Sequence, residues 1–292
     1  MLTAALKPDV ALSPASPDIG FIHRATADAE VYFVANTSNE PRRAKATFRV
    51  EGLNPEWWDP MTGEVRAAKV VERGPKYVSV ALDLEPYGSR LLVFSRRTHP
   101  PAVAPVNQAP LSVDQSTAWQ ITFENGATSR MGSLRSWTDD EETRYYSGLA
   151  TYEKHFELPG GFSRKGLSMR LELGEGRPVA APANPRANGM RALLEGPVRE
   201  AAIVEVNGRR AGSIWCPPYA VDVTNYLKSG ENKVKILVAN TAINYLAGHG
   251  LPDYRLLNLR YGERFQPQDM DKVQPVPSGL LGKITLTARA IE

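Results

Sequence analysis

The sequence is almost without cysteine and has few histidines. Cys216 is the single cysteine among 292 residues, which excludes an intramolecular disulfide and a zinc site of four thiolates. The four histidines, His23, His99, His155 and His249, lie far apart in the chain, and they form no His-rich metal motif. The sequence therefore predicts no cofactor, and in particular no metal site of these kinds.

Long apolar runs and concentrated positive charge are also lacking. No apolar run approaches the roughly 18 residues of a membrane-spanning helix. The first ten residues become polar too early for a signal peptide. We therefore expect no membrane partner. The chain as written has no export signal and would be cytoplasmic, but its localisation stays open. The net charge is +3 and the Lys and Arg residues are scattered, so nucleic acid is not an expected partner.

Alternation of apolar and polar residues recurs along most of the chain and is typical of half-buried strands. In residues 44–50, for example, Ala44, Ala46, Phe48 and Val50 share one face. Further predicted strands cover residues 30–36, 77–84, 90–94, 119–123, 150–156, 167–173, 202–206, 233–238 and 283–288. Because no long segment has a helical period, the predicted fold class is all-β, with two antiparallel β-sandwich domains.

Composition divides the chain into four parts. Residues 1–18 have no sustained period and are predicted to form an N-terminal arm. Residues 19–96 carry short strands at the spacing of a small β-sandwich. Residues 97–111 contain four prolines and predict a stiff linker. Residues 112–292 predict a second sandwich, a jelly roll, in which residues 174–197 resemble an insertion or an irregular loop.

The most specific stretch of the sequence is residues 204–240. Asn207 and Gly208 predict a two-residue hairpin turn with positive φ. Asp222 and Thr224 predict a cap on the short turn that follows them. A Gly-Glu-Asn sequence then predicts another turn before the last strand of the stretch.

This order of elements resembles the galactose-binding-like jelly roll of glycoside hydrolases, as in the sugar-binding domain of family 2 glycosidases. Nearly the whole chain is similar to the C-terminal region of the family 106 α-L-rhamnosidases. The motifs of this second resemblance are Ile22-His23-Arg24, Tyr32–Asn36, Trp58–Gly63, Tyr146–Tyr152 and Asn207–Tyr219. The resemblance implies the accessory end of a glycosidase, without the catalytic barrel that precedes these domains in that family.

Aromatic residues in loops are the candidate carbohydrate-binding residues, because aromatic rings stack on the apolar faces of sugars. Trp215 and Tyr219 lie in an aromatic-proline loop, and Trp137, Tyr145 and Tyr146 flank an acidic run. The alternative interpretation is that these rings cover the sandwich or contact a neighbouring domain.

The acidic run at residues 139–142 could hold a structural calcium ion, because hard cations prefer clustered carboxylates. Its spacing is not that of an EF-hand, and an acidic surface loop is the preferred interpretation. Glycoside hydrolysis would need two carboxylates across a cleft. The carboxylates considered for such a pair are Asp139, Asp140, Glu172, Glu175, Glu195 and Glu205. The sequence does not pair them, so the catalytic residues stay unknown.

The sequence supports three hypotheses about function. The first is a carbohydrate-associated accessory module that binds a glycan or packs against a glycosidase catalytic domain. The alternative is a small stand-alone glycoside hydrolase of the rhamnosidase type, with a carboxylate pair in sandwich loops. The third is a structural role, in which the sandwiches form the interfaces of an oligomer.

Overall fold

A computed structural model provides the structure of the chain. It describes residues 8–98, 112–158, 166–181, 192–249, 253–263 and 273–290. Most of the predicted N-terminal arm lies within these residues, whereas the predicted linker over residues 97–111 lies almost entirely outside them. The predicted domain boundaries therefore stay predictions.

Twenty-three strands and two short α-helices make up most of the described chain. The strands of the first half are β1 (Val10–Ser13), β2 (Ile19–Ala25), β3 (Ala29–Asn36), β4 (Arg42–Phe48), β5 (Asn54–Trp58), β6 (Val65–Ala67), β7 (Val70–Gly74), β8 (Tyr77–Leu84), β9 (Ser89–Ser95), β10 (Ser112–Asp114), β11 (Thr117–Phe123) and β12 (Thr128–Ser133). They are followed by β13 (Leu149–Glu157), β14 (Leu167–Glu172), β15 (Arg177–Pro178), β16 (Leu194–Glu195), β17 (Val198–Arg199), β18 (Ala201–Val206), β19 (Arg209–Ile214), β20 (Ala220–Asp222), β21 (Glu231–Ala239), β22 (Gly279–Leu280) and β23 (Thr285–Ala290). The helices are α1 (Ile243–Gly248) and α2 (Arg255–Tyr261), and Trp137–Asp139 form a 3-10 turn.

The predicted all-β, antiparallel fold class is confirmed. Every strand pairing among the described residues is antiparallel. Both helices are shorter than two full turns, too short for the 3.6-residue period to be visible in the sequence. No helix of the described residues is long and apolar enough to cross a membrane.

The first compact unit contains residues 1–104 and 176–195. Its main sheets have the strand orders β1-β4-β8-β7 and β2-β3-β9-β5-β6. The predicted inner face of residues 44–50 is buried at all four apolar positions, and it packs with Tyr32 and Phe94. Alternation along β4 therefore did identify the core side of this strand.

Residues 176–195, which the sequence assigns to the second domain, pack with this first unit. The side-chain amide of Asn39 donates to the carbonyls of Val179 and Leu193, at 3.0 Å each. The backbone N–H of Leu193 donates to the Tyr87 hydroxyl at 3.0 Å. These bonds satisfy backbone groups of the short β15–β16 pair, which has few ladder partners of its own. The first unit is consequently discontinuous in sequence.

The second compact unit contains residues 105–175 and 196–291. Its six-stranded sheet has the order β12-β11-β13-β21-β18-β19, its four-stranded sheet has the order β10-β23-β14-β20, and β17 pairs with β22. A continuous apolar core includes Trp119, Tyr152, Met169, Ile236 and Leu286. Lys154, which the pattern of β13 places on the apolar face, donates to the Gln115 carbonyl at 3.2 Å and lies over the Trp119 ring.

The side-chain amides of Asn207 and Asn232 join the Asn-Gly hairpin to the bend before β21. Of the predicted Gly-Glu-Asn turn, Glu231 and Asn232 are instead the first residues of β21. Asn207 and Gly208 have φ values of 52° and 78°, as the hairpin prediction requires. Asn232 is fully buried, and its side chain accepts from Asn207 and from the Lys228 N–H. The same amide donates to the carbonyls of Lys228 and Gly230. One side chain therefore fixes two turns at once.

Asp222 and Thr224 pin the turn that follows β20, as the sequence predicts. The Asp222 carboxylate accepts from the Thr224 N–H at 2.8 Å and from the Ser168 hydroxyl at 2.7 Å. The Thr224 hydroxyl accepts from the Met169 N–H at 2.7 Å. Burial acts to raise the pKa of Asp222, but these hydrogen bonds outweigh it, and the pKa lies below its ordinary value.

Replacing Asn232 by Ala should lower the free energy of unfolding of the second unit by on the order of 3 kcal/mol, because buried backbone groups lose their partners. Urea denaturation followed by tryptophan fluorescence measures this loss. Glu231→Ala, at the neighbouring position, is the matched control. The Glu231 side chain is two-thirds exposed, and its ion pair is with the exposed His155, so its loss should cost little stability. Equal losses for the two variants would contradict the role of Asn232.

The pKa of Asp222 predicts an acid-sensitive contribution to stability. Because the folded state lowers this pKa, the contribution is present above the ordinary Asp value of about 4 and disappears as pH falls through the folded value. Asp222→Asn should therefore be less stable at neutral pH and should lose less stability on acidification. Urea denaturation at several pH values tests this, with Asp83→Asn as a control. The prediction would be wrong if the free energy of unfolding of Asp222→Asn decreased with falling pH as steeply as that of the unsubstituted chain.

Candidate functional site

The register of the six-stranded sheet brings several loops to one end of the second unit. One row across β13, β21, β18 and β19 consists of Ala150, Val238, Ala202 and Ile214. Loops directly beyond this row contain residues 145–148, 215–219 and 240–249, which together we name the loop end. Because neighbouring strands lie about 4.8 Å apart, the row spans about 14 Å. Tyr145 and Trp215, far apart in sequence, therefore lie at the same end of the sandwich.

Three partly exposed rings lie together at the loop end. Tyr245 and His249 are one helical turn apart, and their ring centroids are 3.7 Å apart in a stacked arrangement. His249 Nδ1 donates to the Tyr245 carbonyl at 2.6 Å, which sets the tautomer of the neutral ring. Tyr145 packs on Gly248 so closely that a Cβ there would be 2.4 Å from Tyr145 Cγ. The exposed fractions are 43% for Tyr145 and 52% for Tyr245.

A buried amide network supports these rings. Asn244 is fully buried, and its amide donates to the Val276 carbonyl and the Ser278 hydroxyl. Asn240 accepts from the Gly148 N–H at 2.9 Å and donates to the Tyr146 carbonyl at 2.9 Å. Among the described residues, no buried side-chain nitrogen or oxygen is without a hydrogen-bond partner. The rings are therefore held by loops whose backbone is fixed from below.

The aromatic-proline loop exposes one of its two predicted residues. Trp215 is 57% exposed, whereas Tyr219 is buried and its hydroxyl lies against Gly196. The Tyr219 carbonyl accepts from the Leu173 N–H at 2.8 Å. Burial is the main cause that raises the pKa of the Tyr219 phenol. Tyr219 therefore anchors the loop that presents Trp215 to solvent.

Trp137, beneath the loop end, belongs to the core, and Tyr146 of the loop end packs against that core. Trp137 is fully buried, and its indole N–H donates to the Tyr152 hydroxyl at 2.6 Å. Burial raises the pKa of Tyr152 to about 12. Tyr146 packs edge-on against Phe123, and its hydroxyl donates to the Leu149 carbonyl at 2.6 Å. Trp137 and Tyr219 are buried and Tyr146 is partly buried, so Tyr145 and Trp215 are the most exposed of the predicted residues.

The acidic run beside Trp137 is partly used by the fold itself. Asp139 accepts from the Ser136 N–H in a capping box, and Asp140 forms an ion pair with Arg135 at 2.7 Å. Glu141 and Glu142 are exposed. In the part of the chain that the structure describes, no three His, Cys, Asp or Glu residues are grouped to hold a metal ion. Capping and pairing account for the two aspartates without a cation.

A groove is formed by side chains of β11, β12 and β13. Its volume is about 420 Å³. The groove is lined by Ala118, Gln120, Arg130, Glu153, Lys154 and His155. Glu153 forms an ion pair with Lys233 at 2.8 Å. Because no tryptophan, tyrosine or phenylalanine lines this groove, it offers a sugar fewer surfaces for stacking than the loop end does.

Four members of the site were not predicted from the sequence, namely Tyr245, His249, Asn240 and Asn244. The Tyr-x-x-x-His spacing would have placed two rings on one face of a helical turn, but a six-residue helix gives too weak a period to be identified. The two asparagines act through loops that are distant in sequence, and their contacts depend on the order of strands in the sheet.

Comparison with known proteins relates the chain to glycoside hydrolases. Residues 1–71 match the model of glycoside hydrolase family 106, described as alpha-L-rhamnosidase. The structure of a rhamnosidase from Novosphingobium sp. PP1Y is 26% identical with a TM-score of 0.76, and it covers 99% of this chain. The chain spans only 26% of that rhamnosidase. The family match therefore covers residues 1–71, and the chain as a whole is similar in fold to that rhamnosidase.

Two further matches carry the name beta-glucuronidase. A protein of Formosa agariphila named "Putative beta-glucuronidase" is 28% identical over 149 residues, which are 49% of this chain and 11% of that protein. The Ruminococcus gnavus beta-glucuronidase is 16% identical with a TM-score of 0.39, and the match covers 64% of this chain and 30% of that one. The chain therefore spans a minor part of each of these three proteins.

Replacing Gly248 by Ala should displace the Tyr145 ring, because the added methyl group would overlap it. The fold should tolerate the change, since Ala is a better helix former than Gly by about 1 kcal/mol and Tyr145 can move toward solvent. Shifts of the Tyr145 ring signals in NMR spectra measure the displacement. Gly132→Ala is the control, because a Cβ there meets no atom within 4 Å. Unmoved Tyr145 signals in Gly248→Ala would contradict the packing described.

Proposed function

We propose that this chain is a non-catalytic accessory part of a rhamnosidase-like glycosidase and that its loop end binds a sugar. The observation that carries this proposal is the grouping of Tyr145, Tyr245 and His249, with exposed Trp215 at the same end of the six-stranded sheet. The whole-chain similarity to a quarter of a rhamnosidase supports the choice of a glycan as ligand.

The loop end has the two kinds of groups that sugar recognition uses. Partly exposed Tyr145, Tyr245 and Trp215 offer flat apolar surfaces on which the C–H face of a pyranose ring can stack. The Tyr245 hydroxyl and the His249 ring can exchange hydrogen bonds with sugar hydroxyls at the rim of that surface. A deoxy sugar such as rhamnose suits the surface, because its methyl group adds apolar contact.

A stand-alone glycoside hydrolase, the alternative hypothesis, requires two carboxylates across a cleft. Asp139 and Asp140 serve the capping box and the Arg135 ion pair, and Glu205 pairs with Lys235 at 3.6 Å. No observation on the described residues favours a carboxylate pair over these structural roles. The accessory function is therefore the one that the geometry supports better.

We expect the purified chain to bind methyl α-L-rhamnoside or short rhamno-oligosaccharides with weak affinity. Tyr245→Ala and Trp215→Ala should each weaken binding about fivefold, which corresponds to the loss of roughly 1 kcal/mol of ring contact. Saturation-transfer NMR and calorimetric titration measure the change, with glucose and glucuronate as comparison sugars.

Tyr261→Ala is the matched control for this test, because Tyr261 in α2 is 48% exposed but lies outside the loop end. The affinity of the Tyr261→Ala chain for methyl α-L-rhamnoside should equal that of the unsubstituted chain. Absence of saturable binding to every sugar, or equal weakening by all three substitutions, would overturn the proposal. Turnover of an aryl rhamnoside by the purified chain would instead favour the stand-alone hydrolase.

A further inference from the structure

A row of apolar side chains crosses the outer face of the five-stranded sheet in the first unit. Ile22 in β2 stands opposite Phe33 in β3, and Phe33 stands opposite Leu91 in β9. Leu91 stands opposite Trp58 in β5, which stands opposite Val65 in β6. We name these five residues the apolar row. At a strand spacing of about 4.8 Å the row is about 19 Å long.

The apolar row faces away from the core of the unit. On the neighbouring register positions, Tyr32, Leu92 and Trp57 point into that core. Ile22 is 56% exposed, Phe33 42%, Trp58 36% and Val65 42%. Single exposed apolar residues are ordinary on protein surfaces, but an unbroken row across all five strands of a sheet is a contiguous patch, and such patches mark interaction sites.

The row is also held in place before any partner arrives. The Trp58 indole N–H donates to the carboxylate of fully buried Glu56 at 2.9 Å, which limits rotation of the ring. The other members lie on paired strands, so their backbone positions are fixed by the ladder. A preorganised surface loses little conformational entropy on binding.

We infer that the apolar row is the docking surface of this chain for the remaining domains of a rhamnosidase-like glycosidase. This inference rests on the proposed accessory function. The rhamnosidase that matches 99% of this chain has about three-quarters of its length outside the match, so a protein of this kind includes a large body to pack against. Domains joined in one polypeptide have an effective concentration near millimolar, so a modest apolar contact suffices.

Two other occupants fit the row less well. A glycan needs hydrogen-bonding groups beside the apolar surface, and Ile22, Phe33, Leu91 and Val65 have purely hydrocarbon side chains. A second copy of the chain would need about 800 Å² from each partner for a stable dimer, more than a row one side chain wide provides.

One test superposes the first unit on the matching segment of the Novosphingobium rhamnosidase structure. The positions equivalent to the apolar row should be buried by parts of that enzyme outside the matched quarter. Solvent exposure of these positions in the intact enzyme would overturn the inference, whatever the outcome of the binding test.

A second test coexpresses the tagged full chain with the remainder of that rhamnosidase and measures copurification. The double substitution Phe33→Lys with Trp58→Lys should reduce capture by at least about tenfold. Leu256→Lys with Leu259→Lys, at α2 positions that are 81% and 84% exposed, is the matched control and should not reduce it. Equal capture by all variants would overturn the inference, and the superposition decides the case in which separate chains, without the effective concentration of one polypeptide, show no capture.

Two further measurements separate this inference from the proposed function. The Phe33→Lys, Trp58→Lys chain should keep its affinity for methyl α-L-rhamnoside, because the loop end belongs to the other unit. Retained sugar binding with unchanged capture would refute the docking surface alone. Sedimentation of the unsubstituted chain should show a monomer, and a dimer abolished by the double substitution would assign the row to a second copy instead.

Discussion

The loops of both units depend on buried asparagine side chains that take the place of strand pairing. A ladder satisfies the backbone groups of a strand, but a loop that turns over the core has no such partner. Asn36 in the first unit donates to the carbonyls of Glu40 and Glu85. Asn232 and Asn244 do the same for loops of the second unit. An amide both donates and accepts, so it joins two segments without burying a charge.

This constraint separates the aromatic residues into two groups. Trp137 and Tyr219 are buried beneath loops of the second unit, and their burial contributes to its stability. Trp215 and Tyr145 lie on the outer side of the same loops, where burial was not needed to stabilise the fold. The same residue types, close together in sequence, therefore differ in role because a rigid loop has an inner and an outer surface.

The sequence was most informative where structure is local. Alternation located β8 at its observed bounds, and the Asn-Gly pair identified its hairpin turn, because both signals depend on neighbouring residues. The loop end was only half predictable. Trp215 and Tyr145 lie at the same end of the sheet because of the order β13-β21-β18-β19, and pairing between strands distant in the chain leaves little trace in one sequence. The burial of Trp137 likewise depends on a loop that crosses the core, which alternation does not describe.

The discontinuity of the first unit has a consequence for how the protein is made. During translation β1–β9 leave the ribosome before five strands of the other unit, β10–β14, and β15 and β16 follow only after those five. Asn39 and Tyr87 therefore have no carbonyl or N–H partner from this segment while the first sheets form. The first unit can therefore be completed only after much of the second has emerged, and cleavage after residue 104 would break the covalent link between β1–β9 and this final pair of strands.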